Sequence, residues 1–493
     1  MAGIKDILIP IKVEDLTIEK VMPYLPRIMD AFKSNSEKIR KDYDIYCLEH
    51  DILGKKRPHG DADVNNIVIE PHLAAMIDWK VGYIFGFPMK YAQSEEAQTD
   101  DIKYLNKYVR NWKRKVDRDV GMWAFATGVG YYFIEPRKRP FDTEHEAPFV
   151  VYCRDADSCF KVKSAYAGNE PLFDVLYAKH EITDQEGRNT TIEYLDVYFP
   201  RDYYLLQKDS LVAGDFKVVT HQKKYYSKLP LVEKKLHNGI GIVSMFRSLQ
   251  YALDMISSNN LDNLQDVVNV IYKYKGITTG ETSEEKTRFH RGVVTNGAIE
   301  IPYQQGAPFP ADLEIESVDA LNLQEVNIFK SDLKRTMYET AGVPLATSDT
   351  NSGGTTKSGS EVANGYENAY NRALDNVNDF IVADYELLEK MLWICNHTSN
   401  NKIDNLHASE IEIKYCLNLT DNILTKMQAL VYAKEIGMPY NMALEKTKMS
   451  NDSDAEGKLW EAFAELQERK AQENSTNGNN GDNAPIDTTQ RSV

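Results

Sequence analysis

The chain has 493 residues, 42% of them apolar, and a formal net charge of −16. That is enough apolar material for two or three cored domains, and the acidic balance excludes tight wrapping of nucleic acid, because phosphate affinity comes from Lys and Arg displacing counterions. Cysteines stand scattered at Cys47, Cys153, Cys159, Cys395 and Cys416 with no CxxC spacing, which predicts reduced thiols in a cytoplasmic setting rather than a disulfide frame or a zinc site.

From the start, Met1 to Pro10 is interrupted by Lys5 and Asp6 and lacks the apolar run of a signal peptide. Helical signals dominate to about residue 130, punctuated by Pro23 and Pro26. A Lys/Arg-rich stretch over Arg110–Arg118 also holds Trp112 and Val116, with Val120 beyond it, so a solvated basic face over an apolar stripe is expected there. Val120 to Ile134 is uncharged but shorter than the roughly 20 residues that span a bilayer. It predicts a buried helix turning into a strand at Gly130–Ile134.

The pattern then changes to short alternating runs at Phe149–Tyr152, Leu172–Tyr177, Thr191–Tyr198 and Phe216–Val219, which predict an antiparallel sheet. Helix returns near Gly241, where Phe246, Leu249, Leu253, Ile256, Asn260, Leu264 and Val268 keep helical phase. A small strand-rich insert over 269–318 follows, with strands expected at Val270–Tyr274 and Gly292–Thr295 and a Pro-rich run at Ile301–Pro310. The helices on either side of it should lie side by side, with the insert at their tip.

The second of those helices places Val326, Phe329, Leu333, Met337 and Ala341 on one stripe, opposite Gln324, Glu325, Asp332 and Lys334. Gly342 and Pro344 stop it. The tract Ser348–Ser360 has no apolar anchor and a single basic residue, Lys357, which predicts a mobile loop. Its Gly-Gly-Thr-Thr-Lys-Ser run fails the phosphate-loop template, since Thr356 and Asn351 stand where glycines are needed and an amphipathic helix precedes it instead of a buried strand. Helix restarts at Ser360 and runs to about Asn396, a strand is expected at Ile411–Tyr415, helices follow, and the tail from about Gln472 has a disordered composition. Asp452–Gly457 imitates half a calcium loop, but Phe463 occupies the position of the bidentate Glu. His59, Asp61 and Asp63 read as a polar turn, with no strand to present them as a nuclease metal site.

The order of these parts resembles the portal proteins of tailed double-stranded DNA bacteriophages, those with long non-contractile tails especially. The resemblance is carried by Asn65-Asn66-Ile67 through Ile77-Asp78-Trp79-Lys80-Val81-Gly82-Tyr83-Ile84-Phe85-Gly86-Phe87-Pro88, by Ala126–Tyr132, by Leu229–Glu233, and by Thr340–Pro344 with its Gly/Ser-rich loop and helix restart. It implies an α+β portal-type protomer with a helical stem, a small strand-rich clip, a mixed α/β wing and a helical crown, assembling as a ring, usually of twelve. On this chain it implies an N-terminal helical arm at 1–59, wing at 60–240, stem helices at 241–268 and 319–342, and clip at 269–318. The tunnel loop would be 343–360, the long helix and returning wing strand 361–419, the crown 420–470 and the disordered tail 471–493.

The same resemblance implies a non-enzymatic channel at one capsid vertex for DNA packaging, retention and ejection and for head-tail joining. It implies no cofactor, metal or membrane. Lys357, Asp349 and Ser358 would face DNA in the tunnel loop, and Glu325, Asp332 and Lys334 would line the stem channel. Partners implied are further copies of the chain, transient double-stranded DNA, the large terminase subunit, a head-tail adaptor, and the major capsid and scaffold proteins, in the virion and, during assembly, the host cytoplasm. The competing readings are a smaller head-tail adaptor or minor capsid protein, which would lack the helix-insert-helix-loop-helix block, and a metal-dependent DNA-processing enzyme using Asp61 and Asp63.

Overall fold

The structure, a computed structural model, describes residues 3–56, 65–93, 100–183 except 140, 143 and 167, 189–209, 215–268 except 225, 271–275, 282–296, 312–316, 323–345, 359–398, 403, 406–417, 429–447 except 434, and 465. Predicted features at His59 to Asp63, in the Pro-rich run, in the loop containing Asp349, Lys357 and Ser358, at Asp452–Gly457 and in the tail lie outside these residues.

The N-terminal helices α1 (Ile18–Val21) and α2 (Leu25–Tyr46) form as expected, but the segment before them adds a strand, β1 (Ile7–Ile9). β1 pairs in parallel with β5 (Cys159–Ser164) at the edge of a six-stranded sheet ordered β1-β5-β6-β7-β8-β9. Its remaining members, β6 (Pro171–Thr183), β7 (Asn189–Tyr198), β8 (Asp202–Asp209) and β9 (Lys217–Lys223), pair antiparallel. α2 lays Ile28 and Phe32 onto the Val162, Phe173 and Val197 face of this sheet, with Phe32 stacked on Phe160 at 4.4 Å between ring centroids. Each such side chain contributes roughly 1.5–3 kcal/mol by leaving water. The first residues are therefore woven into the sheet layer.

A second layer is built around α3 (His72–Phe85), α4 (Asp100–Val109) and α5 (Lys113–Thr127). α5 ends at Gly128, whose φ of +98° is left-handed, and β3 (Val129–Pro136) starts at once, as the Val120–Ile134 run predicts. A Cβ at Gly128 would stand 2.4 Å from the Gly239 carbonyl oxygen, so both conformation and space require glycine there. β3 is the centre of a three-stranded sheet between β10 (Leu231–Lys235) and β4 (Phe149–Arg154). A separate pair joins β2 (Lys90–Gln93) to the late strand β13 (Ile411–Lys414), so the returning strand expected at 411–415 closes against the early chain.

Two long helices, α6 (Ile242–Val268) and α8 (Leu323–Ala341), pack side by side. Between them the antiparallel pair β11 (Ile271–Lys275) and β12 (Asp312–Glu316) takes the chain out and back, as the insert predicts. The strand expected at Gly292–Thr295 is instead the end of a helix, α7 (Ser283–Asn296). A capping box starts that helix: Glu285 N–H donates to Thr282 Oγ1 at 3.2 Å, and Thr282 N–H to Glu285 Oε2 at 3.3 Å. Once started, it carries the β-branched Val293, Val294 and Thr295 along. The 38-residue α9 (Gly359–Asn396) then crosses the molecule, and Phe380 meets Phe125 edge-on at 5.5 Å in the largest core. A short α10 (Tyr440–Thr447) lies in the C-terminal region expected to be helical.

Candidate functional site

The site is the α6–α8 helix pair and the polar connections that hold it to the rest of the chain. The apolar stripe traced along α6 is buried at Phe246 and Leu253 but only half-buried at Leu249, Ile256 and Asn260. Beyond Leu253 the buried side of the helix is polar: Asp254, Ser258 and Asp262 are each almost inaccessible to solvent. A buried carboxylate without partners would be costly, so the partners determine what this face does.

They come from the segment just before α3. Glu70 N–H donates to Asp254 Oδ1 at 2.9 Å, Val68 N–H to Ser258 Oγ at 2.9 Å, and Asn66 N–H to Asp262 Oδ1 at 2.7 Å. Every second amide of the segment meets every fourth residue of the helix. The register works because two residues of near-extended chain advance about 6.4–6.8 Å and four residues of helix advance about 6 Å. Side chains complete the ladder: His50 Nδ1 lies 2.5 Å from Asp254 Oδ2, Lys55 Nζ 2.6 Å from Asp262 Oδ2, and Gln250 Nε2 donates to the Glu70 carbonyl at 2.6 Å. Ser244 Oγ donates to buried Asp42 at 2.5 Å and so ties the start of α6 to α2.

Glu70 extends the connection to α8. Its carboxylate accepts from Ser257 of α6, pairs with Lys330 of α8 and lies 2.8 Å from His72 Nε2. His72 Nδ1 is in turn 3.3 Å from the Tyr338 hydroxyl on α8. Burial opposes ionisation of Glu70, but the hydrogen bonds from His72, Lys330 and Ser257 outweigh it and hold the carboxyl at about 2. One side chain thus joins both long helices to the chain that leads into α3.

α9, which follows the predicted loop, is anchored by two buried charge clusters. In the first, Lys234 Nζ lies 2.9 Å from Asp384 Oδ1 and donates to Tyr132 Oη at 3.0 Å, while Tyr415 Oη donates to Asp384. Tyr132 also donates to Asp117 at 2.9 Å, and Asp117 pairs with fully buried Lys113 at 3.0 Å. In the second, Glu386 Oε1 receives Lys390 at 2.7 Å and Lys161 at 2.9 Å. Burial of Glu386 is outweighed by those two ammonium groups, which hold its carboxyl at about 2. Lys390 also donates to the Leu231 carbonyl at 2.7 Å, and the Leu231 amide to Asp174 at 2.7 Å. The root of α9 is therefore fixed to α5, to both larger sheets and to β13, while its first turns lead back toward the loop.

Of the stem residues expected to act together, Glu325 and Asp332 are both exposed on α8 and, seven residues apart, stand on one side of it. Lys334 is half-buried and, two residues past Asp332, lies about 200° round the helix, so it does not share that side. The expected apolar stripe is buried at Met337 and Ala341, but Phe329 is 56% exposed, and Ile328 beside it 57%. The predicted loop residues Lys357, Asp349 and Ser358 fall outside the described part. Sequence reasoning did not single out Glu70, Asp254, Ser258 and Asp262. The last three sit at a strict four-residue spacing, but among many other polar residues of α6, so the spacing alone did not mark them as buried.

No described helix is long and apolar enough to cross a membrane. No curated protein matches this chain. Among solved structures, a chain in the neck of an empty GTA particle computed with C6 symmetry is similar at 12% identity and a TM-score of 0.37, over 75% of this chain and 87% of that one. A family model described as phage portal protein, SPP1 Gp6-like, matches residues 26–476. With nearly its whole length matched, the chain belongs to the SPP1 Gp6-like family of phage portal proteins.

Proposed function

We propose that copies of this portal protein close into a ring, of twelve in the particle, around an axial channel at one capsid vertex, and that double-stranded DNA passes through it during packaging, retention and ejection. The observation that carries this reading is the outer surface of the long helices. Ile328 and Phe329 on α8, Met245 and Tyr251 on α6, and Val382 on α9 are exposed large apolar side chains on elements that are otherwise firmly anchored. Such faces suit packing against like neighbours in a closed heterologous ring.

The channel wall is assigned to the stem, with Glu325 and Asp332 keeping it repulsive to phosphate and Lys334 placed beside a helix contact. The loop over 343–360 is the tunnel loop in this reading, with Lys357 making a weak, screened phosphate contact beside Asp349 and Ser358. The chain performs no catalytic step. ATP hydrolysis belongs to a terminase docked on the clip at 269–318, and a head-tail adaptor, the major capsid protein and scaffold meet the ring elsewhere. Assembly takes place in the host cytoplasm and the ring ends in the virion.

Electron microscopy of the purified full chain tests the reading. Rings with a central hole are expected. Particles without a hole under all assembly conditions would overturn it, and Phe329→Asp is expected to abolish rings while leaving a folded monomer.

A further inference from the structure

A groove of about 590 Å³ between α3 and the α4–α5 junction is lined by Arg110, Arg114, Lys115 and Arg118. None of these four cations forms an ion pair with a described residue. In a chain of net charge −16, four cations in one concavity make its lining locally positive. Two carboxylates, Asp78 and Asp119, also line it, and Asp78 accepts from Tyr46 Oη at 2.8 Å. The floor is apolar, made by buried Val81 and half-buried Met122. None of these lining residues is among those assigned to the proposed channel.

Arg114 and Arg118 stand four residues apart on α5, so their heads are about 6 Å apart along the groove, and Arg110 adds a third guanidinium from the turn between α4 and α5. Carboxylates at four-residue spacing on a partner helix repeat at the same distance, and the 10–12 Å width of such a helix suits a groove rather than a flat face. A DNA duplex matches less well, because it offers a convex phosphate surface to a concave site, brings nothing apolar to Val81 and Met122, and would face Asp78 and Asp119. We propose that the groove is a docking site for an acidic, amphipathic helix of a different protein, held by carboxylates on Arg114, Arg118 and the flanking Arg110 and by apolar side chains on the floor.

The test uses the full chain and a fluorescent synthetic helix with Glu at four-residue spacing beside Leu, a scrambled version of it, and a short DNA duplex, followed by anisotropy. The patterned peptide is expected to bind, and the combined Arg110→Glu, Arg114→Glu, Arg118→Glu variant to weaken it roughly tenfold or more with unchanged circular dichroism. The corresponding triple Arg→Lys variant, which keeps the charge, is expected to retain most of the binding, so a fold defect in the first variant would not hide the result. Equal binding of the scrambled peptide, displacement of the peptide by the duplex, or no binding to wild type, as when a second copy of the chain covers the groove, would each overturn the proposal.

Discussion

Lys234 and Asp384 face one another at 2.9 Å with neither side chain open to solvent, one on β10 and the other in the last third of α9. Removing one partner leaves a buried charge uncompensated, whereas replacing both with apolar groups does not. Asp384→Ala is expected to cost about 3–5 kcal/mol, read as a lower denaturant midpoint. The double variant Lys234→Met, Asp384→Leu should recover a substantial part of that loss. An additive double variant would show that the two residues are not coupled.

The ladder on α6 makes a local prediction. Asp254→Ala strips partners from the Glu70 amide and from His50, and should cost about 2–3 kcal/mol. Ser258→Ala removes one neutral bond and should cost about 1 kcal/mol. Hydrogen exchange at the Glu70 and Val68 amides is the direct check, and unchanged protection in both variants would contradict the geometry.

Glu70 gives a pH dependence with a definite sign. Its carboxyl is held at about 2, below the ordinary value of 4.5, so its contribution is complete above about 4.5 and is lost as pH falls toward 2. Glu70→Gln should flatten the acid limb of the stability profile by on the order of 1–2 kcal/mol, once solvent screening is allowed for. A wild-type profile that is already flat between those pH values would refute the assignment.

In the proposed channel, Lys357→Ala should leave ring assembly intact, because one isolated side chain on the loop contributes phosphate contact and not packing. Its expected effect is on DNA packaging or on retention of packaged DNA, measured in assembled particles. Collapse of the ring would instead make the loop a structural element.

The long helices and the sheet region were legible because their apolar periods recur over many residues, as along α6 despite Asn260 and along β7, and the returning strand because its alternation is strict. Gly292–Thr295 misled because three β-branched residues signal a strand locally, while the Thr282–Glu285 capping box that decides the matter lies ten residues earlier. β1 was hidden by its shortness, and by a parallel partner more than 150 residues away in sequence. The polar site was hidden for a different reason. Asp254, Ser258 and Asp262 read as solvent-facing until the backbone that satisfies them is seen, and no pattern within α6 announces a partner at residues 66–70.

The matched spacing of that ladder limits how α6 can move. Sliding α6 by a single residue along the 66–70 segment would turn all three acceptors away together, and the next alignment lies a full helical turn on, about 6 Å away. Small displacements therefore meet a restoring force and larger ones must jump, as a ratchet tooth does. In the proposed channel, an α6 mounted in this way would stay put under the drag of passing DNA and shift only when the whole set of contacts is released at once.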